Sequence, residues 1–426
     1  MEIAVQIVAL VALAAFSLYA VSAGVGSWRR SLVSARTHLL EDEYLKARIG
    51  QVMDERRIER ERGELSWNGF RKFEIVRKVK EGGGICSFYF APHDKKPLPP
   101  FKPGQYLTFQ LDIPGQKKPI IRCYSLSDSP NHPDYYRCSI KAVPAPRDKP
   151  ELPPGLSSNF FHNGLNEGDI IDVKAPGGGF FLDTSKTTPI VLIGGGIGLT
   201  PVLSMLNHVV ETGSKRETWF FYGLRNSKEH VMKEHLEKIR REHDNVRLQI
   251  CYSDPEPGEE KGKHFDQSER VSVELFKKLL PSNNYDFYIC GPPPMMNSIV
   301  KDLEGWGVPE KHIHFEAFGP ATVKKTAPVA HPDATAASAA AAGITVSFAK
   351  SNKTIPWAPD IGSILEFAEA NGVTMDSGCR AGNCGTCITA IKSGEVKYLQ
   401  EPGAKPEAGS CLACVSVPKG NLVLDA

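Results

Sequence analysis

The apolar positions along the chain fall into distinct regimes. Ile3 to about Gly26 is apolar or small throughout, with only Glu2 before it. As a helix, that run is long enough to cross a hydrocarbon core of about 30 Å. Residues 27–66 switch to dense charge of both signs, with Leu39, Leu40, Tyr44, Leu45, Ile49, Val52 and Met53 recurring near helical spacing. This pattern predicts a charged helical stalk. From Trp67 the apolar runs become short and are broken by Gly and Pro: Phe73–Val79, Ile85–Phe90, Tyr106–Leu111, Cys123–Leu126, Arg137–Val143 and Ile170–Val173. Many short strands with turn signals between them predict an antiparallel β-barrel or sandwich over 67–184.

From Pro189 the rhythm changes again. Strand-like Pro189–Ile193, Thr218–Tyr222, Val246–Tyr252, Tyr285–Cys290 and His312–Phe318 alternate with helical patterns such as Pro201–Glu211 and Glu229–His243. That alternation predicts an α/β unit with a parallel sheet over 185–320. Residues 321–342 are rich in Ala, Pro, Thr and Lys without periodicity and read as a linker. A compact final segment, 343–426, has strand-like Ile344–Phe348 and Asn421–Asp425 and a helical Ile364–Ala370.

Charge and cysteine placement sharpen this picture. A formal net charge of +2 with no long basic run leaves no nucleic-acid footprint. The cysteines of the Cys379–Cys414 stretch lie close enough for a local site rather than a scattered disulfide framework. Cys86, Cys123, Cys138, Cys251, Cys290 and Cys411 read mostly as reduced, buried thiols. Arg29, Arg30 and Arg36 follow the first apolar segment and no basic residue precedes it. Val21-Ser22-Ala23 resembles a signal-peptide cleavage site, but a signal peptide wants a basic n-region, so an anchor over 1–26 is expected instead. The positive-inside rule then puts the N-terminus outside and all that follows in the cytoplasm. With no histidine in the span, membrane haem held by two histidines is not expected.

Four motifs carry chemistry. Cys379-x4-Cys384-x2-Cys387 with a distant fourth cysteine has the plant-type [2Fe–2S] spacing. Gly378, Gly382 and Gly385 let the loop curl around a cluster. Structural zinc usually takes paired Cys-x2-Cys units or histidines, and this segment has no histidine. Cys411 and Cys414 both qualify as the fourth ligand on spacing. Arg122-Cys123-Tyr124-Ser125 offers a guanidinium, an aromatic face and a hydroxyl. Gly104-Gln105-Tyr106 lies before it, and Gly155-Leu156-Ser157-Ser158 opens a helix at Asn159–His162 whose N–H groups suit phosphate. Gly194-Gly195-Gly196-Ile197-Gly198-Leu199-Thr200-Pro201 follows an apolar strand, with Thr200 expected as N-cap and Pro201 as the first helical residue. Such glycines let a dinucleotide approach the backbone. Cys290-Gly291-Pro292, then Met295, places a thiol and exposed backbone at a strand's carboxyl end.

In this order, residues 67–320 resemble the ferredoxin–NADP reductase superfamily, in particular the reductase module of flavohaemoglobins, through Arg122–Ser127, Gly155–His162, Ala175–Phe181, Gly194–Pro201, Cys290–Pro292 and Glu316–Pro320. The final segment resembles plant-type ferredoxins, which have a β-grasp fold, and the domain order resembles oxygenase reductases. The resemblance implies roles. Arg122, Tyr124 and Ser125 would contact FAD, with Ser125 near its N5, and Gly155, Leu156, Ser157 and Ser158 would take its phosphates. Gly195, Gly196, Ile197, Gly198, Thr200 and Pro201 would bind the nicotinamide dinucleotide, with Gly291, Pro292 and Met295 alongside. Cys290 would sit near the hydride path, Phe318 near the flavin and Glu316 beside it. Cys414-Val-Ser-Val-Pro418 followed by a terminal strand matches the ferredoxin pattern, so Cys414 joins Cys379, Cys384 and Cys387 as metal ligand. FMN enzymes also carry a similar Arg-x-Tyr-Ser run. Lys141-Ala142 departs from the basic pair of many relatives, and no globin segment accompanies the module.

These readings predict a membrane-anchored oxidoreductase passing electrons from NAD(P)H through flavin to [2Fe–2S], one at a time, and on to an external acceptor. A membrane-associated oxygenase, hydroxylase or desaturase is expected. A quinone acceptor and an anchored docking subunit are the alternatives. Arg225 is the one basic residue just after the second strand of the sheet, which favours NADH over NADPH.

Overall fold

The computed structural model describes residues 2–145, 150–318, 343–358, 361–378, 380, 382, 385–399, 402 and 406–426. Residues 1–63 and 64–426 form two compact units. The described residues of the first belong to one continuous helix, α1 (Glu2–Leu65). No proline interrupts it, and pairs such as Lys46–Asp42 at 2.6 Å and Arg57–Asp54 at 3.1 Å support its charged half one turn apart. Ala9–Arg29 is long and apolar enough to cross a membrane.

The second unit opens with a six-stranded antiparallel sheet in the order β4-β3-β6-β1-β2-β5. Its strands are β1 (Arg71–Gly82), β2 (Ile85–Pro92), β3 (Tyr106–Leu111), β4 (Ile120–Ser125), β5 (Tyr136–Lys141) and β6 (Ile170–Gly177). Alternation buries Phe73, Ile75, Phe88, Phe90, Leu107 and Phe109 on one face. The short helix α2 (Leu156–Asn163) plugs this core through Phe161, whose ring lies 5.3 Å from Phe88 and 5.2 Å from both Phe109 and Tyr124. That anchor fixes where the helix N-terminus points.

A parallel sheet follows, in the order β11-β10-β7-β8-β9. It contains β7 (Ile190–Gly195), β8 (Thr218–Leu224), β9 (Val246–Tyr252), β10 (Asp286–Cys290) and β11 (Ile313–Glu316). The helices are α3 (Leu199–Glu211), α4 (Lys233–Glu242), α5 (Val273–Leu279) and α6 (Pro293–Gly305). Its strands read as unbroken apolar runs because both faces are covered: Ile190 and Leu192 enter one core, Val191 and Ile193 the other. Strand order reverses between β7 and β10, the place where open parallel sheets bind ligands.

The final segment folds around β13-β12-β18-β14-β16, with β15-β17 as a small second sheet. These are β12 (Thr345–Phe348), β13 (Lys353–Pro356), β14 (Ile388–Ser393), β15 (Val396–Tyr398), β16 (Ser410–Leu412), β17 (Ser416–Pro418) and β18 (Leu422–Leu424). Helix α7 (Ile364–Ala370) starts on a reciprocal cap between Ser363 and Glu366 and packs Phe367 against Trp357 and Phe348.

The structure corrects several sequence expectations. The helix expected over Glu229–His243 starts only at Lys233, because a tight turn at Ser227–Glu229 and a left-handed Met232 (φ 56°) precede it. Helices α5 and α6 and strands β13 to β17 lacked a clear period in the sequence. Thr200 is not an N-cap. The turn Gly196–Gly198 leads directly into α3, Gly198 takes the cap position, and the Thr200 hydroxyl donates to the Ile197 carbonyl at 3.2 Å. The expected linker 321–342 lies outside the described residues.

Barrel and parallel sheet are joined by a buried polar seam. Asp128, between β4 and β5, accepts from Asn207 Nδ2 at 3.1 Å and from Tyr135 Oη at 3.2 Å and pairs with Arg137 at 3.3 Å. Its backbone carbonyl accepts from Ser204 Oγ at 2.6 Å. Asn207 and Ser204 belong to α3, and Asn207 Oδ1 in turn meets His235 Nε2 at 2.7 Å. Asp128→Ala should lower stability by about 3–5 kcal/mol, the range for deleting one partner of a buried pair. Urea unfolding followed by circular dichroism measures this.

Candidate functional site

The carboxyl end of β4, the N-terminus of α2 and the end of β11 converge on one cleft of about 470 Å³. From the barrel it is lined by Tyr106, Arg122, Tyr124, Ser125, Lys141 and Val143. Gly155, Leu156, Ser157 and Ser158 form its floor at the helix start. Gly155 is the cap residue of α2 and no side chain caps the first turn, so its N–H groups are available to an anion. The two serines differ. Ser158 Oγ is engaged, donating to the Gly155 carbonyl at 3.2 Å and accepting from the Val143 N–H at 3.2 Å. Ser157 Oγ is buried with no hydrogen-bond partner. An orphaned hydroxyl at a helix start is what a phosphate oxygen would satisfy, and the exposed Arg122 and half-buried Lys141 supply positive charge. The residues therefore fit a flavin phosphate.

Glu316, at the end of β11, faces Ser125 across the cleft, with Ser125 Oγ donating to Glu316 Oε2 at 3.5 Å. Burial raises the Glu316 carboxyl to about 8, against a smaller lowering by Ser125. Burial, with the nearby Glu316 charge adding to it, holds the Cys290 thiol well above its ordinary range. Cys290 is fully buried at the end of β10, beside Glu316 in register but not on the cleft wall. Phe318 and Ala317 line the cleft mouth, and Phe318 is exposed.

The glycine loop after β7 packs against the end of β10. A Cβ at Gly195 would lie 2.6 Å from Met295 Sδ and 2.9 Å from Pro292 Cδ. One at Gly198 would collide with the Cys290 carbonyl. Ile197 and Thr200 reach the flavin cleft. Thus Gly195, Gly198, Gly291, Pro292 and Met295 pack closely at the switch point, Gly196 beside them stays open at φ +54°, and Pro201 is buried in the first turns of α3. Arg225 stands apart, exposed at the end of β8.

In the last domain, Cys387 and Cys414 are buried with their sulfurs 3.0 Å apart. Gly382 has φ +74°, and a Cβ there would lie 2.7 Å from Val415. Gly382 thus packs tightly against the residue that follows Cys414, which suits thiolate ligation of a cluster. Cys379 and Cys384 lie outside the described residues. Cys411 is fully buried on β16, paired in register with Thr389. Ser377, Gly378 and Arg380, which flank Cys379, line the flavin cleft. Arg380 is held by Glu369 through Nη1–Oε2 at 2.8 Å. Sequence reasoning missed these three as cleft residues. Their adjacency to a ligand cysteine was the available signal, and the fold alone puts them beside the flavin strand.

Comparison with known proteins fits this geometry. Residues 72–182 match the oxidoreductase FAD-binding domain family, 192–301 the oxidoreductase NAD-binding domain family and 348–419 the 2Fe–2S iron–sulfur cluster binding domain family. The chain is 42% identical over 259 residues to a flavohemoprotein of Bacillus cereus, covering 61% of this chain and 63% of that protein. It therefore spans less than two thirds of the curated relatives it matches. Among solved structures, it is similar to the flavohem-like FAD/NAD binding domain of a nitric oxide dioxygenase from Vibrio cholerae O1 biovar El Tor. There identity is 31%, coverage 59% of this chain and 100% of that one, and the TM-score 0.52. It is also similar to phthalate dioxygenase reductase, described as modular for electron transfer from pyridine nucleotides to [2Fe–2S]. There identity is 27%, coverage 84% and 98%, and the TM-score 0.51.

Two outcomes are expected of this site. A folded-state carboxyl at about 8, against an ordinary 4.5, means that the folded chain holds an extra proton between those values. The contribution of Glu316 to stability should therefore fall as pH rises from 4.5 to 8. Glu316→Gln should flatten that slope in denaturant titrations run across this range. Gly198→Ala forces backbone apart at the switch point and should cost about 1–3 kcal/mol. It should also weaken NAD⁺ binding, read by the perturbation of flavin absorbance.

Proposed function

Because the chain belongs to the ferredoxin–NADP reductase superfamily and carries a plant-type [2Fe–2S] domain at its C-terminal end, we propose that it is a membrane-anchored, NADH-dependent reductase delivering single electrons to a membrane-associated oxygenase, hydroxylase or desaturase. It is an oxidoreductase using FAD, NAD(H) and a [2Fe–2S] cluster. The observation that carries the electron path is the shared cleft. Arg122, Tyr124 and Ser125 of the flavin strand, Ile197 and Thr200 of the nucleotide loop, and Ser377, Gly378 and Arg380 beside the first cluster cysteine all line it.

Bound FAD supplies the conversion between the hydride that NADH gives up and the single electrons that a [2Fe–2S] cluster takes. The chain's own groups do the rest. Arg122, the open first turn of α2 and Ser157 hold the flavin phosphates. Tyr124 gives an apolar wall. Ser125 and Glu316 form a pair whose carboxyl keeps its proton at neutral pH, so a proton can be held or passed beside the reacting edge. The floor at Gly195–Pro201 and Cys290–Met295 takes the nicotinamide dinucleotide. Cys379, Cys384, Cys387 and Cys414 ligate the cluster. The apolar span at Ala9–Arg29, with Arg29, Arg30 and Arg36 at or beyond its end, supports a single-pass anchor with the redox domains in the cytoplasm. The likeness to phthalate dioxygenase reductase supports an oxygenase as acceptor.

The ligand assignment predicts that Cys414→Ser abolishes the [2Fe–2S] visible and EPR signals while Cys411→Ser keeps them. The reverse result refutes it. Deleting residues 1–26 should yield a soluble enzyme that reduces both ferricyanide and cytochrome c. Cys384→Ser should then lose about tenfold or more in cytochrome c reduction while ferricyanide reduction, which draws on the flavin, persists. Equal loss of both would show that the cluster is not the exit port. NADH oxidation that needs a purified oxygenase, rather than quinone alone, tests the acceptor class.

A further inference from the structure

Arg380 follows the first cluster cysteine, and its backbone is left-handed at φ 54°. That region suits glycine, and an L residue held there is strained. Glycines stand nearby at Gly378 and Gly382, yet this position carries a long side chain. The side chain has a firm partner. Its guanidinium grips Glu369 as a fork, with Nη1 donating to Oε2 at 2.8 Å and Nη2 donating to Oε1. Nη2 also reaches Ser377 Oγ at 3.5 Å. Glu369 lies in the last turn of α7, where the helix dipole opposes a carboxylate and a cation relieves it. The helix itself is fixed by its Ser363–Glu366 cap and by Phe367 packed on Trp357. The fork therefore ties the cluster loop to a helix anchored in the core of the last domain.

The same residues face the flavin cleft. Ser377, Gly378 and Arg380 line it together with Tyr106, Tyr124 and Ser125 of the barrel. The paired side chains are largely covered, with Arg380 29% and Glu369 37% exposed. Arg380 differs in role from Arg122 and Lys141. Its charge is already met by a carboxylate, so it suits an uncharged ring better than a phosphate. A planar guanidinium also packs well on an aromatic face. We propose that Arg380, locked by Glu369, is a flavin-positioning residue: the ion pair holds the cluster loop as one wall of the isoalloxazine site, so that flavin retention depends on the ferredoxin domain. Linkage makes the dependence mutual. Whatever loosens the loop frees the flavin, and bound flavin stabilises the docked loop.

This inference rests on the flavin reading of the cleft, and the experiment separates the two. The full-length holoenzyme is diluted and FAD release is followed by the rise in free-flavin fluorescence. Wild type, Glu369→Gln, Arg380→Gln and the double variant are compared, with [2Fe–2S] visible and EPR spectra recorded on the same samples. Each single variant should release FAD about fivefold faster while the cluster spectra stay unchanged. The double variant should match the single ones within about twofold, because either change already removes the pair. Glu369 lies outside the ligand loop, so Glu369→Gln decides the matter if Arg380→Gln fails to assemble its cluster. Unchanged release in Glu369→Gln overturns the inference, as does faster release that comes only with loss of the cluster signals. The pair would then serve the ferredoxin domain alone. Effects that multiply in the double variant also refute it, because the two residues would then act separately. A wild type that carries no FAD overturns the flavin reading itself.

Discussion

The flavin cleft exists because a barrel and a parallel sheet share a wall, and that wall is held by a buried carboxylate. Asp128 sits 7% exposed between the two folds, bonded to Asn207 and pinned through its carbonyl by Ser204. Its charge is met by Arg137 and its remaining lone pairs by Tyr135 and the Ser129 N–H. A charge out of water is tolerated only when so satisfied, and satisfaction in turn admits one relative placement of the two folds. A shift of either body would strip Asp128 of its bonds from Asn207 and Ser204, while its pair with Arg137 lies within the barrel. The position of Ser125 opposite Glu316 and of Ile197 and Thr200 beside Tyr124 follows from that seam.

Within the cleft, polar groups divide into those that build and those that wait. Ser158, Asn159 and the Gly155 backbone are spent on joining α2 to the strand end at Val143. Ser157 is left over at the same helix start. Glu316 likewise has the cleft-facing Ser125 as its neighbour and sits where burial favours its neutral form. A buried group with unspent bonding capacity is costly in a folded chain, and the Ser157 hydroxyl stands where a bound flavin would use it.

Residues of all three domains line one cleft. The cluster loop reaches the flavin cleft through Ser377, Gly378 and Arg380, and Glu369 of α7 holds Arg380 in place. On the other side, Gly195 and Gly198 pack too tightly against Met295, Pro292 and Cys290 to admit side chains.

Much of this was legible in the residues themselves. Short apolar runs broken by Gly and Pro marked the barrel strands, the alternation of strand-like and helical runs marked the parallel sheet, and a glycine run after an apolar strand marked the nucleotide loop. Cysteine spacing marked the cluster loop, because ligation depends on a short local geometry. Where local signals competed, they fell short. Val273–Leu279 is a helix too short to show a period, and Thr200 had the composition of a cap but lay beyond a turn that had already started the helix. Other features depend on contacts between residues far apart in the chain. Cys387 lies beside Cys414 while Cys411 turns into the core, Arg380 joins a cleft built 250 residues earlier, and Glu259 bridges to Ser227. Backbone periodicity and ligand chemistry are local properties and can be read in order. Which distant side chains share a site is decided by packing, and packing belongs to the folded chain.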